Sequence, residues 1–340
     1  RFNALRVAAF VSLVPIVIYA FIAGFGVSVI RATIMIIAFL AAILLHKERD
    51  LFNTLALAAI IILLVSPHAL FDISFQLSFV AVASLIFVAP LLTTFIREEP
   101  AEGMAAPVSL TRRIGNYLLM FIFVTLSATL GSMPLLVYYF NGFPTITLPA
   151  NCIIVPLLGM IALTLGMAVI ITLPISSTLS ALLVKLTSVP AALSVTAVNF
   201  FASLPGSYVT ITTPTIPEII CFYLLLITIV IMVRSKREVK APEDGKAPWR
   251  PLFLKLALFL LILFFTSDIL YLAFRDRFRQ DIQVTAIDVG QGSSTLIRLP
   301  AGKKILIDGG GSATGSFDVG KYVLAPYLWR QRIKKLDLVI

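Results

Sequence analysis

The sequence has few of the residues from which metal centres are built. Only two cysteines and two histidines occur among 340 residues. Cys152 and Cys221 lie inside apolar runs, where cysteine usually behaves as a small buried hydrophobic residue. His46 and His68 lie at the ends of predicted helices. A zinc site with a dedicated His/Cys cluster is therefore excluded, and we predict no metal ligand and no cofactor in this chain.

The sequence is also poor in charge. Charged residues make up 13% of the chain and hydrophobic residues 59%, whereas soluble domains have about 25% and roughly 45–50%. The mean hydropathy is +1.01, so most of the chain is expected to face lipid. Because the sequence begins at Arg1 without an initiator methionine and stops at Ile340 inside an apolar run, we expect it to belong to a longer protein.

Long apolar runs predict a polytopic α-helical membrane protein. A helix needs about 20 mostly apolar residues to cross a bilayer, and the sequence has about nine such candidates. Proline removes a helix donor and clashes with the preceding turn, so we predict that the fifth span is broken at Gly131-Ser132-Met133-Pro134. The candidate spans are residues 5–23, 28–45, 51–66, 74–96, 115–138, 150–173, 179–204, 216–233 and 252–272.

The basic residues are concentrated in alternate loops between the predicted spans. This positive-inside pattern places the amino end in the cytoplasm and the carboxyl segment outside a cytoplasmic membrane, although Arg275, Arg277 and Arg279 oppose the last crossing. The loops without basic residues lie near 24–27, 67–73, 139–149 and 205–215. The opposite loops carry Arg1, Arg6, Lys47, Arg49, Arg97, Arg112, Arg113, Arg234, Lys236, Arg237, Lys240, Lys246 and Arg250.

A charged stretch with three prolines, RSKREVKAPEDGKAPWRP, is typical of a domain boundary. We therefore predict four segments: a membrane domain at 1–233, a cytoplasmic linker at 234–251, a tethering transmembrane helix at 252–272 and a soluble domain at 273–340. In the soluble segment, residues 282–288, 294–299 and 304–308 predict an antiparallel meander, and a helix over 318–331 and a strand over 336–340 follow. Gly309-Gly310-Gly311 is typical either of a turn with positive φ or of a phosphate-binding nest.

Polar residues inside the predicted spans are functional candidates, but helix packing uses the same residue types. Lys185 and Asn199 share one helix face with Ser188, Thr196 and Ser203. Such a stripe is expected either along an aqueous path or on a helix that lies in the membrane interface.

A second polar group stands at a predicted helix start. Asp72 and Ser74 occupy N-cap positions, and Gln76 and Ser78 follow directly. One interpretation is a capped helix start whose glutamine bonds a neighbouring helix, and the other is a polar ring near a pore mouth. The segments around Asn141 and Asn151 are rich in proline and glycine, which is typical both of re-entrant backbone beside a conduction path and of ordinary external loops.

Three motifs stand out in the membrane part: the run from Gly26 to Met35 that includes Arg31, SPHALFDISFQLSF at 66–79 and PLLVYYFNGFPTITLPANCIIVPL at 134–157. Together they resemble the competence domain of the ComEC-type DNA internalisation proteins. Asp288-Val289-Gly290-Gln291-Gly292 and Leu306-Ile307-Asp308-Gly309-Gly310 resemble the first strands of the α/β metallo-β-lactamase-like domain that such proteins carry. The resemblance implies a membrane channel that passes single-stranded DNA during natural transformation.

The resemblance also implies partners and roles. The partners expected are single-stranded DNA, the lipid bilayer, a DNA receptor and an ATP-driven translocase, and a homo-oligomer is compatible with it. Asp288 and Asp308 are expected to support a metal site without binding the metal. The candidates for the DNA path are Arg31, Gln76, Ser78, Asn141, Asn151, Lys185 and Asn199.

Two alternatives stay open. A membrane-anchored metallohydrolase or nuclease would place its H-x-H-x-D-H motif, with zinc or manganese, beyond Ile340, so no catalytic residue is assigned within this chain. A secondary transporter would show an inverted repeat with paired broken helices, and only one broken span is predicted.

Overall fold

A computed structural model describes residues 4–24, 26–44, 50–93, 110–238, 249–275, 278, 280–311 and 317–340. The chain divides into two compact units, Arg1–Leu135 with Ile146–Ser203 and Leu136–Thr145 with Leu204–Ile340. Most of the predicted linker 234–251 lies outside the described residues, so the predicted domain bounds stay predictions. The basic residues of the topology argument that also lie outside them are Arg1, Lys47, Arg49, Arg97, Lys240, Lys246, Arg277 and Arg279.

The first unit is helical. Its elements, with the whole of the helix that leaves the unit at Leu135, are α1 (Ala4–Ile22), α2 (Val27–Leu44), α3 (Leu51–Val65), a 3₁₀ turn (Pro67–Phe71), α4 (Ile73–Phe87), α5 (Ala89–Thr93), α6 (Leu110–Phe140), α7 (Thr147–Ile154), a π-helical stretch (Val155–Ala162), α8 (Leu163–Thr172) and α9 (Ser177–Ser203).

The helices make this a multi-pass membrane protein. Among the described residues, six apolar helical segments are long enough to cross a bilayer. Three shorter apolar helices cover Val7–Ile22, Ser28–Ala41 and Leu51–Val65, where the sequence predicts its first three spans, so the count of nine stays a prediction. The six segments are Ile73–Thr93, Thr111–Phe140, Thr147–Thr172, Ser177–Ser203, Ile216–Ser235 and Leu252–Leu272.

The predicted break in the fifth span is wrong, because α6 runs without interruption through Pro134. Gly131 and Pro134 are both buried, so the proline ring lies on the packed face of the helix. Ser132 Oγ donates to the Ala128 carbonyl at 2.9 Å. Buried position and hydroxyl contacts of this kind allow proline inside membrane helices.

The irregular backbone lies in the following span instead. Between α7 and α8 the chain forms π-type turns, and the Leu163 amide bonds to the Leu158 carbonyl, five residues earlier. Its second residue is Pro156, which has no amide hydrogen to donate. A wider turn therefore accommodates this proline without ending the helix.

Helices α4 and α6 approach closely where Gly131 faces Ser84. A Cβ atom added at Gly131 would lie 2.4 Å from Ser84 Cβ. Ser84 Oγ donates to the carbonyl of Ser127 at 2.6 Å, and Ser127 is fully buried. The contact between the helices thus depends on the missing side chain at position 131 and on one interhelical hydrogen bond.

The second unit combines a two-stranded ribbon, a helical hairpin and a four-stranded sheet. Its remaining elements are β1 (Gly142–Pro144), β2 (Tyr208–Thr210), α10 (Ile216–Glu238), α11 (Trp249–Arg275), β3 (Gln283–Ala286), β4 (Thr295–Arg298), β5 (Lys304–Ile307), a π turn (Gly320–Leu324), α12 (Ala325–Arg330) and β6 (Leu338–Val339). Strands β1 and β2 pair antiparallel, with Phe143 opposite Val209.

The carboxyl-terminal sheet has the order β3-β4-β5-β6. The first three strands form the predicted antiparallel meander, and β6 joins β5 in parallel. Leu296 is fully buried in a core with Ile287, Leu306 and Leu324. Gly310 has a φ of 68°, which bears out the prediction of a positive-φ turn after β5.

A buried ion pair connects α10 to the end of the sheet segment. Thr215 and Glu218 form a capping box at the start of α10, in which the Thr215 amide donates to the Glu218 carboxylate and the Glu218 amide donates to Thr215 Oγ1. Arg332 donates to the same carboxylate, and the two side chains are 19% and 9% exposed. The Thr213 amide also donates to the Trp329 carbonyl at 3.2 Å, so the two segments are joined twice.

We expect Gly131→Ala to lower the free energy of unfolding by about 1–3 kcal/mol, because the added methyl group overlaps Ser84 and forces α4 and α6 apart. Thermal unfolding of the purified protein in detergent measures this. Gly166→Ala is the matched control, since no atom lies within 4 Å of a Cβ at that helical glycine. Equal midpoints for the two variants would contradict the close approach.

Removal of the cation at Arg332 should open the contact at α10. We expect Arg332→Met to destabilise it by about 1–3 kcal/mol, below the roughly 3–5 kcal/mol of fully enclosed pairs, because Arg332 is partly exposed. Hydrogen exchange at the Thr213 amide measures the opening. Arg330→Met, which removes an exposed cation nearby, is expected to leave that exchange rate unchanged, and equal rates in both variants would refute the role of the pair.

Candidate functional site

A half-open cavity of about 410 Å³ lies between helices α2 and α4 within the first unit. It combines one guanidinium group and three hydroxyl groups with apolar walls. The lining residues are Ser28, Arg31, Ala32, Met35, Ser74, Leu77, Ser78 and Val82. Two residues predicted for the path, Arg31 and Ser78, therefore meet in one place.

Arg31 is the buried charge of this cavity, with 4% of its surface exposed. Its Nη2 donates to Ser28 Oγ at 3.0 Å, and its Nη1 lies 4.0 Å from Asp72 Oδ1. Nε and Nη1 have no hydrogen-bond partner among the described residues. Because arginine stays protonated in proteins, a permanent cation with unused donors is buried in the wall of the cavity.

Asp72 begins α4 as its N-cap. Its Oδ1 accepts from the amides of Ser74 at 2.7 Å and Phe75 at 3.3 Å, as the sequence predicts for this position. The hydrogen bond from the Ser74 amide holds the pKa of the Asp72 carboxyl below its ordinary value. Asp72 is therefore a carboxylate at neutral pH, and its hydrogen bonds go to the helix end rather than to Arg31.

Gln76 and Ser78 form local hydrogen bonds in the first turns of α4. Gln76 Nε2 donates to the Leu70 carbonyl of the 3₁₀ turn at 2.9 Å, and Ser78 Oγ donates to the Phe75 carbonyl at 3.1 Å. The rings of Phe75 and Phe79 lie 4.3 Å apart. The predicted cap at Asp72 is thus confirmed, while the bond of Gln76 to a neighbouring helix and the polar ring both stay predictions.

Asn141 has a structural role in the second unit. It is buried, has a φ of 54°, and donates from Nδ2 to Thr213 Oγ1 at 2.5 Å. Its carbonyl accepts from the Ile211 amide at 2.9 Å, which extends the ribbon of β1 and β2 by one hydrogen bond. A left-handed asparagine at the end of α6 starts this ribbon.

The other path candidates lie apart along the helices of the first unit. Asn151 is half-buried on α7, whereas Lys185 and Asn199 are exposed on α9. The hydroxyl groups of Ser188 and Thr196 donate to carbonyls of their own helix. Neither interpretation of the α9 stripe is decided by these contacts.

Sequence reasoning missed Ser28, which contacts Arg31 directly. The signal was present, because residues three apart on a helix are neighbours and Ser28 and Arg31 have that spacing on α2. A serine in an apolar helix attracts little attention by itself. The α4 residues that line the same cavity are separated from Ser28 in the sequence by the whole of α3.

Asp288 and Asp308 shape turns of the carboxyl-terminal sheet. Asp288 accepts from the Gly290 amide at 3.1 Å, and Asp308 accepts from Ser293 Oγ at 3.0 Å and from the Gly309 amide at 2.7 Å. Asp308 has a φ of 60°. Within the described ranges, three or more His, Cys, Asp or Glu residues nowhere come close enough to hold a metal ion.

Comparison with known proteins identifies the family to which the helical part is similar. The profile of a family described as competence protein matches residues 1–236, more than half of the chain. The chain belongs to the competence protein family. This competence protein is similar to ComE operon protein 3 of Bacillus subtilis (strain 168), with 26% identity over 335 residues, which is 95% of this chain and 38% of the relative. No solved structure matches it significantly.

We expect Asp72→Ala to destabilise the competence protein by about 0.5–2 kcal/mol, because two amides at the start of α4 lose their acceptor. Asp72→Asn should lose much less, since an asparagine oxygen accepts the same hydrogen bonds. Both variants remove the charge, so the difference between their unfolding midpoints isolates the cap. Identical midpoints would show that the cap contributes nothing.

Proposed function

We propose that this competence protein forms part of a channel that passes single-stranded DNA across the cytoplasmic membrane during natural transformation. The observation that carries the proposal is the family match over residues 1–236, which covers the apolar helices before α11 and the Arg31 cavity. The chain spans 38% of the length of its curated relative. The activity proposed for the whole protein therefore extends beyond the helices described above.

The chemistry of the cargo supports the proposal. Single-stranded DNA is a polyanion, and proteins bind it with positively charged grooves and with aromatic side chains on which bases stack. The cavity between α2 and α4 supplies the first of these features, a buried guanidinium group. A charge inside apolar helices is costly, which favours a function over an incidental placement.

Transport needs a source of work that this sequence lacks. The P-loop pattern G-x-x-x-x-G-K-[ST] does not occur in it. We therefore assign the driving force to an ATP-driven translocase on the cytoplasmic side and the delivery of DNA to a receptor outside. The segment 273–340 is proposed to lie outside as well, where a metallo-β-lactamase-like domain would meet the incoming strand.

Uptake of labelled linear DNA by a deletion strain tests the proposal. We expect DNA to stay bound outside the cells without reaching the cytoplasm, and the wild-type gene should restore its passage. Normal passage in the deletion strain would refute the channel and would favour the membrane-anchored metallohydrolase instead.

Complementation with variants tests the individual residues. If Gln76 and Lys185 line the path, Gln76→Leu and Lys185→Leu lower cytoplasmic uptake at matched membrane levels, because each removes a polar group from it. Lys255→Leu removes an exposed cation from another spanning helix, α11, and serves as the control. Uptake at the control level would remove the tested residue from the path.

A further inference from the structure

We propose that Arg31 and the cavity between α2 and α4 bind one backbone phosphate of the single strand during transport. This inference rests on the proposed function and adds the group of the DNA that the cavity recognises. The ligand is a phosphodiester anion, whose negative charge and acceptor oxygens complement the unused donors of the guanidinium group.

The first argument is the incomplete pairing of Arg31. The residue is 96% buried, yet Nε and Nη1 find no acceptor within the described part of the chain. Its one hydrogen bond goes to Ser28 Oγ, a neutral group. Buried charges in proteins are normally paired and hydrogen-bonded, so a guanidinium group left in this state in a cavity marks a place for an anion.

The second argument is that Asp72 does not take this role. Its oxygen lies 4.0 Å from Nη1, beyond hydrogen-bond range, and accepts from the Ser74 and Phe75 amides instead. The carboxylate therefore offsets the charge of Arg31 without satisfying its donors. It also repels an incoming phosphate, which weakens binding.

Weak binding suits a conduit. A site on a conduction path must attract the cargo and also release it, because tight binding would stop transport. Arg31 supplies the attraction and Asp72 the repulsion. Removal of the Arg31 charge should therefore weaken phosphate binding, and removal of the Asp72 charge should strengthen it. A merely structural ion pair would not show these opposite effects.

The third argument is the position of the pair. Arg31 lies in the second turn of α2, and Asp72 directly precedes α4. The segments that precede these helices, 24–27 and 67–73, belong to the loops without basic residues, which the positive-inside rule places outside. The cavity would meet a strand that arrives from outside. The hydroxyl group of Ser28 accepts from Arg31 and keeps its own hydrogen to donate to a phosphate oxygen.

The test uses the full chain in nanodiscs of neutral phosphatidylcholine and a fluorescein-labelled 20-nucleotide oligothymidine, with affinity measured by anisotropy at several salt concentrations. We expect Arg31→Gln to weaken binding about tenfold, as for a lost charge-assisted hydrogen bond, and to reduce the salt slope by about 0.7, as for one phosphate contact. Arg31→Lys should recover only part of the affinity, because it restores the charge but not the donor geometry.

Asp72→Asn should tighten binding several-fold. Since asparagine keeps the cap of α4, this gain separates the charge effect from any loss of fold. Arg113→Gln removes an exposed cation from α6 and should leave the affinity within about twofold of wild type, as for a charge outside the site. If Arg31→Gln binds like Arg113→Gln, or if Asp72→Asn does not tighten binding, the inference is wrong.

Two further measurements separate the other outcomes. If native mass spectrometry shows that Arg31→Gln loses retained phosphatidylglycerol while it binds the oligonucleotide normally, the cavity holds a lipid headgroup and the inference is overturned.

Uptake in cells distinguishes failure of the phosphate site from failure of the channel. Blocked uptake in the deletion strain with normal uptake in Arg31→Gln would refute the phosphate site alone, whereas normal uptake in the deletion strain would refute the channel.

Discussion

The absence of water from a bilayer core is the constraint on which the helical part depends, because each main-chain amide and carbonyl must find its partner inside the protein. It accounts for details that otherwise look unrelated. The hydroxyl groups of Ser132, Thr196 and Ser188 bond to carbonyls of their own helices. The chain accommodates Pro156 by widening its turns and carries α6 through Pro134 without a break.

The same constraint makes a charge in this setting informative. Polar side chains such as Gln76 and Asn141 bond to nearby carbonyls or hydroxyls, so their polarity alone does not mark them as functional. Arg31 differs, because two of its donor nitrogens have no acceptor among the described residues. The carboxylate of Asp72 stays 4.0 Å away. Functional interest thus follows from what the local structure fails to satisfy, and not from polarity as such.

Local patterns in the sequence predicted local structure well. The Asp72 cap, the meander of β3 to β5 and the turn at Gly310 each depend on residues a few positions apart. The prediction of a break at Pro134 was wrong, because the cost of a proline inside α6 is offset by packing against other residues. No local pattern in the sequence contains that packing. The contact of Arg332 with Glu218 joins positions 114 apart, and the cavity of Arg31 needs two helices in place, so neither could be predicted from spacing.

The ribbon of β1 and β2 carries a consequence for membrane topology. Gly142 pairs with Thr210, and the Thr145 amide donates to the Ser207 carbonyl at 3.0 Å. Main-chain hydrogen bonds hold the two ends of the intervening stretch together, so any bilayer crossings between them must be even in number. The segments Thr147–Thr172 and Ser177–Ser203 satisfy this parity as a pair. Because β2 follows both segments in the chain, the ribbon can close during synthesis only after both have left the ribosome.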